Sequence, residues 1–136
     1  MVGMSLPNGA ALVVSSISIS INQSIRFDEN GSEIGSNGAE ALRQVAIAVR
    51  SSTVETLRVE CHADPSERKV VAVANARALA VKRWLSSEGG LDAARIVAVG
   101  HGATRPIASS RTPRGRQENR RCDVIPSPRS SEAPFP

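Results

Sequence analysis

Ile17, Ile19, Ile21, Ile25 and Phe27 alternate with mostly polar neighbours, the period of a half-buried strand, and predict the first strand. Met1 to Ala10 show no such period and read as an irregular arm. Asp28-Glu29-Asn30-Gly31-Ser32 concentrates turn formers, so the chain is expected to leave the sheet there. Leu42, Val45, Ala46 and Val49 then recur at i, i+3, i+4 and i+7, one face of a helix, with Asn37 and Glu40 spaced for a capping box. Leu57, Val59 and Cys61 alternate with Arg58, Glu60 and His62, a second strand ending at Ala63. Ala74, Ala78, Val81 and Leu85 mark a longer helix, stopped by Gly89-Gly90, which tolerate the left-handed conformation of a helix end. Ile96 to Val99, closed by Gly100-His101-Gly102, predicts a third strand, and Cys122 to Ile125 a fourth after a long Arg-rich loop.

The order βαβαββ describes an α+β fold, an α/β sandwich with two main helices packed on a mixed four-stranded sheet. With 136 residues, 40% of them hydrophobic, the chain is expected to build one core without supporting metals or disulfides, and no internal repeat divides it. Residues 1–10 are assigned to an N-terminal arm, 11–125 to the domain and 126–136 to a Pro/Ser-rich tail that buries too little apolar surface to fold alone.

Composition narrows the chemistry. Aromatics are 2% of residues (Phe27, Trp84 and Phe135), which leaves no stacking platform for bases or sugars. A net charge of +4 points to an anionic partner or surface. Arg105, Arg111, Arg114, Arg116, Arg120 and Arg121 concentrate that charge in one loop and the following strand. Without interleaved aromatics or a nucleic-acid motif, this basic patch reads as solvated or protein-facing rather than as a clamp for nucleic acid.

Cys61 and Cys122 lie in predicted strands with no CxxC spacing and no companion His cluster, so no metal or cofactor is expected. The first reading of them is as buried, reduced thiols, with a disulfide between strands as the alternative. His62 and His101 are far apart in sequence and read as ordinary polar histidines. No Gly-rich phosphate loop, nucleophile elbow or Ser-His-acid arrangement is present, so the chain is expected not to be an enzyme. No charged start followed by an apolar stretch marks a secretory signal, and Ala10 to Val14 is too short to span a bilayer. The expected location is intracellular if the chain is complete, and periplasmic or cell-envelope if it is a fragment of an exported protein.

Four stretches, in this order and spacing, resemble the OmpA-like C-terminal, peptidoglycan-binding domain family found in OmpA, Pal and MotB. Ile25-Arg26-Phe27-Asp28 with Ser32-Glu33-Ile34 is similar to the family's opening. Val59-Glu60-Cys61-His62-Ala63-Asp64 resembles its "v.GHTD" strand end, with Cys61 for Gly and Ala63 for Thr. Arg77-Ala78-Leu79-Ala80-Val81 fits "RA..V". Arg95-Ile96, Gly100-His101-Gly102, Pro106-Ile107 and Asn119-Arg120-Arg121 follow its "ri…G.G…P…NRRv" run. The match covers Ile25 to Ile125.

The resemblance implies that Asp64 and Arg77 grip the diaminopimelate of a peptidoglycan stem peptide, with Asn119, Arg120 and Arg121 nearby. A zwitterionic amino-acid end needs a carboxylate for its ammonium and a guanidinium for its carboxylate. The segment from Asp64 to Arg77 is about two residues shorter than is usual in the family, and Val70, Val73 and Ala74 replace its polar lining. The alternative partners are neighbouring proteins of an assembly, with the chain as an intracellular structural subunit that keeps the fold without wall binding.

Both key residues also have readings that need no ligand. Asp64 as N-cap, Pro65 at N1 and Glu67 at N3 form a helix start. A helix unbroken from Pro65 to Arg77 would part the two charges by roughly 20 Å, so a shared pocket requires Pro65 to about Lys69 to be a loop folded back over the second helix. Arg77, at the edge of the stripe of Ala74, Ala78 and Val81, could lay its stem on the core and keep its charge in water.

Overall fold

A computed structural model describes residues 23–128. Ile17, Ile19 and Ile21, the N-terminal arm and the end of the tail lie outside the described residues. The elements are β1 (Gln23–Arg26), α1 (Ser36–Arg50), β2 (Val54–His62), α2 (Val70–Ser87), a 3-10 turn (Ala93–Arg95), β3 (Ile96–Gly100), α3 (Pro113–Asn119) and β4 (Arg121–Pro128). The four strands form one mixed sheet in the order β1-β4-β2-β3. β2 and β3 run parallel across α2, while β4 enters last and pairs antiparallel with both β1 and β2.

Period-two patterning places Leu57, Val59, Cys61, Cys122 and Val124 in the core. Leu42, Val45, Ala46 and Val49 of α1 and Ala74, Ala78, Val81 and Leu85 of α2 are buried, as their helical spacing predicts. Gly90, at φ +71, completes the stop of α2, and the Leu91 amide bonds back to the Leu85 carbonyl at 3.0 Å. Gly100 lets α2 lie directly on β3. A Cβ there would collide with Asn75 Oδ1 and stand 2.8 Å from the Asn75 amide nitrogen.

Four details depart from the sequence reading. α1 starts at Ser36 with Gly35 as its N-cap and no side-chain cap, so the capping box of Asn37 and Glu40 does not form; both lie inside the helix, and Glu40 accepts from Gln44 at 3.0 Å. The Arg-rich loop contains a third helix, α3, begun by Thr112, whose hydroxyl accepts from the Gly115 amide at 3.0 Å, and by Pro113. β4 runs on past Ile125 to Pro128.

The cysteines are not reduced. Cys61 and Cys122 face each other in register on β2 and β4, 3.9 Å apart at Cα, and are joined as a disulfide. The two strands are far apart in sequence but adjacent in the sheet, a pairing that spacing alone does not reveal.

Candidate functional site

Three separate stretches meet at the carboxyl end of β2: the turn after β1, the segment from Ala63 to Lys69, and the loop and helix before β4. Residues 65–69 are a loop, and α2 begins only at Val70, after Lys69 in the left-handed conformation at φ 50. The cap contacts read from Asp64-x-x-Glu67 do form, with the Asp64 amide donating to Glu67 Oε1 at 2.9 Å and the Ser66 amide to Asp64 Oδ2 at 2.9 Å. They close a turn instead of opening a helix, which brings the far end of the loop back towards α2.

Arg77 is fully buried, so the expected snorkelling to water does not occur. Its Nη1 and Nη2 donate to Glu67 Oε1 and Oε2 at 2.8 and 2.5 Å. Its other N–H groups bond to the carbonyls of Gly31 (Nε, 2.8 Å), His62 (Nη1, 3.0 Å) and Asp28 (Nη2, 3.0 Å). Below it lies the Phe27 ring, 5.3 Å from Cζ. Burial alone would raise the Glu67 carboxyl, but the hydrogen bonds from Arg77 and from the Asp64 and Asn30 amides, with the Arg77 charge, hold it below the usual glutamate range.

Asp64 is also fully buried. Besides the Ser66 amide, it accepts from the Ser66 hydroxyl at 2.5 Å, the Ser110 hydroxyl at 3.0 Å and Asn119 Nδ2 at 2.7 Å. Burial would raise its carboxyl as well, and the bonds from Asn119, Ser66 and Ser110 outweigh that cost and keep it low. Asn119 Oδ1 receives the Ile107 and Ala108 amides at 2.7 and 3.0 Å, and Nδ2 also donates to the Ala108 carbonyl at 2.9 Å.

Asp64, Arg77 and Asn119 therefore belong to one network, linked by Glu67 and by the Asp64–Asn119 bond. The other sequence candidates do not join it. Arg120 Nε bonds to the Phe27 carbonyl at 2.9 Å. Arg121, one residue before core-facing Cys122, turns to the other face of the sheet, where it meets Asp123 at 3.1 Å and the Arg105 carbonyl at 3.3 Å. Arg105 pairs with Glu60 at 3.2 Å, Arg114 with Glu118 at 3.3 Å, and Arg116 with the Ser110 carbonyl at 2.8 Å, while Arg111 is exposed.

His62 and His101 stack at 5.2 Å between centroids, yet no group of three metal-ligating side chains occurs among the described residues. No helix among them is long and apolar enough to cross a membrane. Glu67 is the central residue that sequence reasoning missed. Its spacing from Asp64 had marked it as a helix cap, and nothing local pointed to Arg77. Beside the network, a cleft of ≈ 400 Å³ is lined by Asn30, Ser32, Arg68, Lys69, Ala72, Val73 and Ala76.

The OmpA family model matches residues 26–120. The outer membrane protein A of Bordetella avium is 35% identical over 100 residues, which cover 72% of this chain and 51% of that protein, so the chain spans about half the length of this relative. Among solved structures, the peptidoglycan-associated lipoprotein from Burkholderia pseudomallei is 25% identical with a TM-score of 0.71, over 77% of this chain and 90% of that one. The cell wall anchor of the T6SS from Pseudomonas aeruginosa shares the fold, at 24% identity and a TM-score of 0.64, over 85% of this chain and 93% of that one.

Proposed function

The chain belongs to the OmpA family, and from that premise we infer that it is a non-catalytic module that docks on cell-wall peptidoglycan at the carboxyl end of β2. The observation that carries this reading is the convergence of Asp64 after β2, Arg77 on α2 and Asn119 at the end of α3 in one buried network. The peptidoglycan-associated lipoprotein from Burkholderia pseudomallei, similar over most of its length, adds support. So does the Cys61–Cys122 disulfide, because such bonds persist in oxidising compartments such as the periplasm. In this reading Arg77 takes a carboxylate and Asp64 the neighbouring ammonium of the stem peptide's diaminopimelate.

A second reading, a structural subunit of a protein assembly without wall binding, is favoured by a different observation. All five N–H groups of Arg77 and both carboxylate oxygens of Asp64 are already bonded within the chain.

Retention on purified peptidoglycan sacculi separates the two. Wall binding predicts that the folded wild type is retained and that Asp64→Asn and Arg77→Lys, each checked for folding by circular dichroism, are retained at least about tenfold less. Absence of the folded wild type from the sacculus pellet leaves the assembly reading.

A further inference from the structure

Glu67 differs from the rest of the network in being held where a ligand group would be held. Its carboxylate accepts four N–H bonds: two from Arg77, one from the Asp64 amide at 2.9 Å and one from the Asn30 amide at 2.6 Å. Three backbone carbonyls and the Phe27 ring fix the guanidinium independently of Glu67. Its two remaining N–H groups, one on each terminal nitrogen, converge with two backbone amides on a single carboxylate. A bidentate guanidinium with convergent amides is a donor set suited to a free carboxylate.

The occupant also sits on an exposed loop. From Pro65 to Lys69 only Glu67 is buried, and the other four residues are exposed. Glu67 is thus the loop's one buried side chain, while the exposed residues are tied by the Ser66 amide and hydroxyl on Asp64 Oδ2 and by the Arg68 amide on Asn30 Oδ1 at 2.9 Å. The ≈ 400 Å³ cleft shares Asn30 and Arg68 with the last of these ties and is also lined by Lys69, Ala72 and Ala76, which places two cationic side chains and room for a group of amino-acid size beside the cradle.

We propose that the cradle formed by Arg77 and the Asn30 and Asp64 amides is a receptor for a ligand carboxylate, and that Glu67 is its tethered occupant, a latch displaced when the ligand enters. That the ligand is the amino-acid end of a stem peptide rests on the wall-binding reading; the cradle and its latch do not.

The test melts Glu67→Ala in sodium acetate and in sodium chloride at equal ionic strength, beside the wild type and the double variant Glu67→Ala/Arg77→Met. Acetate should raise the Tm of Glu67→Ala by about 4–8 °C over chloride through binding to the folded state. The wild type should shift less, because its tethered carboxylate competes, and the double variant should not shift. If Glu67→Ala is unfolded in chloride, recovery of its helical circular dichroism in acetate is the same readout. An identical response of Glu67→Ala in the two salts, or an equal acetate shift in the double variant, overturns the proposal.

Sacculus retention of wild type and Glu67→Ala distinguishes the two failures. An acetate response without retention of either protein keeps the latch and removes wall binding. Retention of the wild type without an acetate response does the reverse.

Discussion

Arg77 and Glu67 hold each other in a site with no side-chain exposure on either partner. Taking two charges out of water costs several kcal/mol each, and only a full set of hydrogen bonds offsets it. Removing one partner should therefore cost more than removing both. Arg77→Met and Glu67→Ala are each expected to lose about 3–5 kcal/mol in urea denaturation, with the double variant recovering a large part. Additive losses would show that the pair acts through packing alone.

The pH dependence follows from the same bonds. Asp64 and Glu67 both titrate lower folded than unfolded. Their stabilisation is complete above the unfolded values, near about 4, and is lost as pH falls through the folded values. Denaturation at stepped pH should show wild-type stability falling below about pH 4–5, with a shallower fall in Glu67→Gln. Parallel curves would remove Glu67 from the acid transition.

At the scale of elements, the loop before β4 is organised by one side chain. Asn119, at the end of α3, satisfies both oxygen and nitrogen on Asp64, Ile107 and Ala108, and so ties that loop to the end of β2. Asn119→Ala leaves a buried carboxylate short of a donor and should cost about 1–3 kcal/mol. Amide hydrogen exchange should accelerate at Ile107 and Ala108 while β3 stays protected. The approach of α2 to β3 is just as specific, because it depends on Gly100 having no side chain beside Asn75. Gly100→Ala is expected to lose about 1–3 kcal/mol, read as a lower urea midpoint.

At the scale of the whole molecule, β4 is the keystone. The last strand in sequence fills the gap between β1 and β2, and the disulfide ties it to β2 across 61 residues of chain. Closing a loop of that length removes enough unfolded-state entropy to be worth about 4 kcal/mol in the chain-entropy account. A reducing agent should lower the urea midpoint accordingly, with a mass gain of two hydrogens confirming reduction. An unchanged midpoint after confirmed reduction would show that the sheet does not depend on the bond.

The period of two marked β2, the period of 3.6 marked both long helices with their buried faces, and short apolar runs marked β3 and β4, because burying apolar side chains is decided locally by which residues share a face. The family's motif order likewise marked Asp64, Arg77 and Asn119, and with them Arg120 and Arg121, which bond outside the network. Thr112-Pro113 carried the signal for α3, although the surrounding arginines read as loop. What local pattern could not decide was which charges leave water. Arg77 looks like a snorkelling arginine, Glu67 like a helix cap, and Cys61 and Cys122 like separate thiols, since each is defined by a partner 10 to 61 residues away. Only the tertiary arrangement brings those partners within bonding distance, and for a buried charge the partner, not the residue itself, sets whether the site is open or closed.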